Sequence, residues 1–182
     1  MVYILLGKGF EEIEAVAPGD VLRRAQIPMQ YVGIGSRIVE GAHGISIQAD
    51  IEISEIELEQ MDMLVLPGGL GGVESIEGSE GAVQAIIYAL EHNKLLAAIC
   101  AAPTILGKRG LLDGRHAVCY PGCEKDMGKA IMHLDKEAVI DGNIITGRAP
   151  GAAIEFGLTL AGMLKANFTP DEIAGYMVYE RR

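Results

Sequence analysis

The chain opens on five consecutive apolar residues, Val2-Tyr3-Ile4-Leu5-Leu6, and halts them at Gly7. The pattern returns in Met63–Leu66 and in Leu95–Ile99. An unbroken apolar run this short suits a strand covered on both faces, whereas a strand with one wet face alternates. Cover on both faces requires helices above and below the sheet, and the intervening segments supply them. Residues 11–25, 79–92, 101–108, 152–164 and 170–178 read as helices, the second with Ser79 as N-cap and acids near its start. Residues 30–34, 44–49, 116–120, 138–140 and 143–146 read as further extended stretches. This alternation predicts an α/β fold, a mostly parallel sheet with helices on both faces. At 182 residues, it is expected to form a single domain over residues 1–182.

In such sheets ligands bind beyond the carboxyl ends of the strands. That rule selects residues 7–14, 67–72 and 100–103, and Tyr120-Pro121. Cys100 follows an apolar strand directly and is followed by Ala101, Ala102 and Pro103. Small neighbours permit a sharp turn, and proline suits the first position of a helix. This is the pattern of a nucleophile elbow. A helix start there offers free N–H groups and a positive dipole end, which favour thiolate over thiol. The plainer alternative is a buried structural cysteine.

Pro67-Gly68-Gly69-Leu70-Gly71-Gly72 follows another buried run. Glycines let backbone N–H groups approach a ligand and form an anion-binding concavity. An ordinary glycine-rich turn has the same composition. Glu14 is the third candidate. On a helical wheel Ile13, Ala17, Val21 and Ala25 form an apolar arc, Glu14 falls within it, and Glu12 falls opposite. A carboxyl on a core-facing stripe is costly unless it is paired or neutral. A protonated Glu14 would donate a hydrogen bond to a Cys100 thiolate. The alternative places Glu14 at the rim with Glu11 and Glu12, complementing the helix N-terminus. Pro18 leaves room for a bend in this helix.

Charge narrows the partners. With 25 acidic and 15 basic side chains the formal charge is −10, which disfavours nucleic acid and anionic lipid. The Arg181-Arg182 pair is too short for a basic arm. No apolar stretch is long enough to span a bilayer, and the first one is shorter than a signal-peptide core. Three cysteines, Cys100, Cys119 and Cys123, do not make a disulfide scaffold. A reducing, cytoplasmic location is expected. His116, Cys119 and Cys123 are close in sequence but lack convergent spacing and a fourth ligand, so no metal is expected. His43, His92 and His133 read as surface or satisfied side chains. No complete dinucleotide or P-loop fingerprint is present.

Together, Glu11-Glu12-Ile13-Glu14, Leu66-Pro67-Gly68-Gly69, residues 98–103 and Gly147-Arg148-Ala149-Pro150-Gly151 resemble the ThiJ/PfpI superfamily, in the branch that contains the human parkinsonism-associated protein. The resemblance spans essentially the whole chain. It implies a flavodoxin-like three-layer sandwich, similar to class I glutamine amidotransferase domains, and a homodimer. It implies that Cys100 is the nucleophile and oxidation-sensitive residue and Glu14 its protonated partner. It implies an oxyanion or substrate site built from Gly68, Gly69 and Ala101, with backbone N–H groups of Gly69 and Ala101 as donors. The protease-like branch places a histidine directly after the cysteine, where this chain has Ala101. Some closer members place a histidine where this chain has Tyr120; Tyr120, at an expected strand end, is still expected to border the substrate site, but a phenol is a poor base at neutral pH.

The resulting expectation is a cysteine-dependent glyoxalase or deglycase needing no cofactor. It would act on methylglyoxal-like α-oxoaldehydes or early glycation adducts through a Cys100 hemithioacetal. The alternative is an oxidative-stress sensor or chaperone regulated by oxidation of Cys100. A cysteine peptidase or amidase fits less well, because no histidine partner is placed.

Overall fold

The structure, a computed structural model, describes residues 1–164 and 166–181; Arg182, half of the terminal basic pair, lies outside them. The elements run β1 (Val2–Leu6), α1 (Glu12–Arg24), β2 (Met29–Gly33), β3 (Ile38–Glu40), β4 (Ser46–Gln48), β5 (Ile51–Glu52) and β6 (Met63–Leu66). They continue through α2 (Leu70–Gly78), α3 (Glu80–Glu91), β7 (Leu95–Ile99), α4 (Pro103–Gly107), β8 (His116–Ala117) and β9 (Ile131–Met132). β10 (Ala138–Asp141), β11 (Ile144–Gly147), α5 (Ala153–Met163) and α6 (Pro170–Tyr176) complete the chain.

Seven strands form one sheet in the order β10-β11-β7-β6-β1-β2-β5. Every pairing in it is parallel except the β10–β11 hairpin. The three apolar runs are its centre, and nearly every side chain in them is buried. Full burial of each large aliphatic contributes about 1.5–3 kcal/mol. The path β1–α1–β2 moves toward one edge and β6–α3–β7 toward the other. Right-handed crossovers therefore place α1 and α3 on opposite faces. α5 packs beside α1, closely enough that a Cβ on Gly157 would stand 2.9 Å from Pro18 Cα. The winding reverses between β1 and β6, so the loops leaving these strands and the neighbouring β7 border the crevice where such sheets bind ligands.

Several expected boundaries move. The glycine-rich loop is shorter than expected, because α2 begins at Leu70. Gly71 and Gly72 serve close approach rather than a turn: a Cβ on Gly72 would stand 2.8 Å from Phe10 Cα. Strand β8 ends at Ala117, so Tyr120 sits in a loop and not at a strand end. The wheel of α1 is also corrected. Ile13 is 54% exposed, whereas Glu12, Ala15, Pro18 and Leu22 are buried with Glu14 and Val21. Helix α1 is covered by both the sheet and α5, and its first turn lies under residues 41–45, so its buried stripe is wider than one apolar arc.

Candidate active site

Cys100 follows β7 with φ +66°, in the left-handed region that few non-glycine residues occupy. This conformation costs about 1–2 kcal/mol and turns the chain sharply out of the strand. Backbone bonds hold it there. Cys100 N–H donates to Gly147 O at 3.0 Å, and Tyr120 N–H donates to Cys100 O at 2.8 Å. Pro103 then opens α4 at its first position. The residue is left 8% exposed, at the wall of a cavity.

Behind it lies Glu14, with no exposed surface at all. Oε2 accepts the Gly68 N–H at 2.9 Å, and the carboxyl also interacts with the Cys100 thiol. Oε1 is buried without a well-formed hydrogen bond. An ionised carboxyl would thus carry an unsatisfied oxygen in a dry environment, which a proton relieves. Burial pushes the Glu14 carboxyl up to about 7, against the lowering hydrogen bonds from Cys100 and Gly68; the charge of Glu11 adds to the rise. Gly68 makes the meeting possible. A Cβ there would lie 2.7 Å from Glu14 Oε2 and 2.8 Å from Cys100 Cβ.

The thiol is also raised, first by burial and then by the charge and hydrogen bond of Glu14 in its ionised form. Backbone N–H groups of Ala101 and Gly69 oppose that rise. The expectation that a helix start makes Cys100 a ready thiolate is therefore corrected. Helix α4 has only five residues, and burial beside a second acid outweighs its dipole. Two acids in contact titrate as a unit. The pair releases one proton near neutral pH and holds the second much more tightly.

The cavity at Cys100 measures about 480 Å³ and is lined by Glu11, Gly69, Leu70, Ala101, Tyr120, Pro121, Gly122, Cys123 and Pro150 as well as Cys100 itself. Of the residues singled out in sequence, Cys100, Gly69, Ala101 and Tyr120 share this wall, and Glu14 and Gly68 stand directly behind it. Glu11 lies in the 7–14 segment that the strand-end rule selects, though it was given no role of its own, whereas Cys123 and Pro150 had not been singled out as cavity residues. Pro150 lies in a motif that carries the resemblance, but Cys123 had no local signal beyond its residue type. Another cavity, about 540 Å³, is bordered by Pro28, Asp62, Asn93 and Leu95 at the amino ends of the strands, away from Cys100.

Among the described residues, Glu11, Glu12 and His43 bring donor atoms within 4.8 Å of one another. Glu12 is already occupied. Its Oε1 accepts N–H groups of His43 at 2.7 Å and Ile45 at 3.4 Å, and its Oε2 pairs with His43 Nδ1 at 2.8 Å. This arrangement holds the 41–45 loop over α1. Cys119 is buried, with its thiol pushed up to about 12 by burial and the acidic neighbours Cys123 and Glu124. His116 pairs with His133 through ring nitrogens 2.6 Å apart.

A profile of the DJ-1/PfpI family matches residues 1–163. Protein dj-1beta of Drosophila melanogaster is 36% identical over 174 residues, spanning 94% of this chain and 92% of the relative. Deglycase PfpI of Pyrococcus furiosus is 32% identical over 151 residues, spanning 82% and 90%. The structure of oxidized Toxoplasma gondii DJ-1 superposes with a TM-score of 0.92 at 32% identity, covering 99% of this chain and 98% of that one.

Proposed function

The chain belongs to the DJ-1/PfpI family, and from that premise we propose that it is a cysteine-dependent enzyme acting on α-oxoaldehydes or on the early adducts they form with proteins. The observation that carries this reading is the fully buried Glu14 against Cys100, with one carboxyl oxygen unpartnered. The reactive form has its single negative charge on sulfur and the proton on Glu14, which donates to that sulfur. The Ala101 and Gly69 N–H groups favour the same charge placement.

The thiolate attacks the aldehyde carbon, forming a C–S bond and an alkoxide. Glu14 protonates the alkoxide to give a hemithioacetal. The Glu14 carboxylate then moves the proton from the former aldehyde carbon to the adjacent oxo carbon, while the hydroxyl proton passes from the former aldehyde oxygen to the former oxo oxygen, leaving a thioester of a 2-hydroxy acid. Water cleaves the C–S bond, releasing the acid and restoring the thiol, so that the oxoaldehyde and one water make one 2-hydroxy acid. No cofactor enters this balance. Deglycase names among the relatives support the substrate class. A homodimer is part of the same proposal. The test is lactate formation from methylglyoxal by wild type, Cys100→Ala and Glu14→Gln. Both variants lose it, and full activity in Cys100→Ala would sink the mechanism.

A second reading has its own support. Two N–H groups aimed at the sulfur would also hold the oxygens of a sulfenate or sulfinate. Oxidation by mild peroxide would then favour Cys100. Equal oxidation of Cys100, Cys119 and Cys123 in peptide mass spectra would count against a sensing role.

A further inference from the structure

Taking Cys100 as the reacting group, we infer that Glu11 makes its cavity a charge filter, admitting neutral and cationic electrophiles and turning away anionic ones. Among the described residues that line the cavity, Glu11 is the charged side chain, and no lysine or arginine joins it. Its side chain is 13% exposed, so water screens its charge only in part.

The neighbouring groups do not cancel this charge. His43 Nδ1 lies 3.6 Å from Glu11 Oε2 and 2.8 Å from Glu12 Oε2. One imidazolium facing two carboxylates leaves a net negative charge. Cys123, another lining residue, feels Glu124 and Asp126 more strongly than Lys125 and Lys108, so its part of the wall is negative too. The remaining walls, at Leu70, Pro121 and Pro150, are apolar. An incoming carboxylate would lose hydration there without gaining a cationic partner.

The fitting substrates are uncharged oxoaldehydes such as methylglyoxal and adducts carried on amine-bearing side chains. An oxo acid such as glyoxylate fits poorly, though its aldehyde carbon is equally electrophilic in kind. The same field repels the carboxylate that the proposed reaction creates, which favours departure of the 2-hydroxy acid.

Alkylation tests the filter without requiring turnover. Iodoacetamide and iodoacetate deliver similar carbon electrophiles, one neutral and one anionic. Their rates at Cys100, read by peptide mass spectrometry and divided by their rates with a free thiol, give a preference. Because both reagents attack the same thiolate population, a change in Cys100 ionisation cancels in that ratio. Wild type should prefer iodoacetamide by about tenfold. Glu11→Gln should lower the preference severalfold, and Asp135→Asn, at an exposed position outside this cavity, should leave it in place. An equal preference in wild type and Glu11→Gln, or none in wild type, overturns the filter. If neither reagent modifies Cys100 while Cys123 reacts, the reading of Cys100 as the reacting group falls, and the filter with it.

Discussion

Glu14 and Cys100 meet over the bare Cα of Gly68, and the carboxyl in that contact has a single well-formed backbone donor. Burial there raises the carboxyl from 4.5 to about 7. A raised acid favours the folded state while it is neutral. Its penalty is absent below pH 4.5, grows between 4.5 and 7, and is complete above 7. The shift corresponds to roughly 3 kcal/mol. Glu14→Gln, which does not titrate, should therefore gain stability relative to wild type by up to that amount between pH 4.5 and 8. Urea unfolding across this range measures it, and a pH-independent difference would mean that the Glu14–Cys100 pair does not release its first proton in this range.

The location of the pair's negative charge can be read from Cys100 itself. With the proton on Glu14, replacing that residue by leucine removes a donor to sulfur worth about 1.5–3 kcal/mol. The midpoint of Cys100 alkylation with pH should then rise by one to two units in Glu14→Leu, and by less in Glu14→Gln, which keeps an N–H donor. A lower midpoint in Glu14→Leu would instead place the charge on the carboxylate.

Gly68→Ala probes the contact from the side. The added methyl would press on Glu14 Oε2, Cys100 Cβ and Ile99 O, at 2.7, 2.8 and 3.0 Å. Relief requires the two acids to separate or the loop after β6 to withdraw. The variant should lose about 1–3 kcal/mol of stability and most of its lactate formation. Wild-type turnover would show that close approach of the pair is unnecessary.

How much of this could be read in advance differs by element. The three unbroken apolar runs marked β1, β6 and β7, because two-sided burial leaves no competing periodicity. Cys100 was legible for the same reason: a strand, a small-residue turn and a proline come in sequence order. Helix α2 was not, because Gly71 and Gly72 count as helix breakers until the 8–10 segment is seen lying against them. The wheel of α1 found Glu14 but misplaced Ile13 and Glu12, since one arc cannot represent a helix covered on two sides. Glu12 is buried because the 41–45 loop donates to it, a contact across some thirty residues of sequence that no local pattern encodes. The raised ionisation of Cys100 likewise depends on burial beside Glu14 rather than on anything within residues 95–103.

The elbow itself makes the last prediction. At φ +66° a Cβ is penalised, and glycine is not. Cys100→Ala and Cys100→Gly both remove the thiol, but only the second relaxes the backbone. Cys100→Gly should be more stable than Cys100→Ala by about 1 kcal/mol, after the extra chain freedom of glycine in the unfolded state offsets part of the gain. Paired thermal melts compare them. If Cys100→Ala melts higher, the turn after β7 does not hold residue 100 in the left-handed region in solution, and the projection of the sulfur into the cavity needs another cause. If Cys100→Gly melts higher, the fold holds the strained conformation in wild type against its intrinsic preference, through the bonds to Gly147 and Tyr120 on either side of the residue.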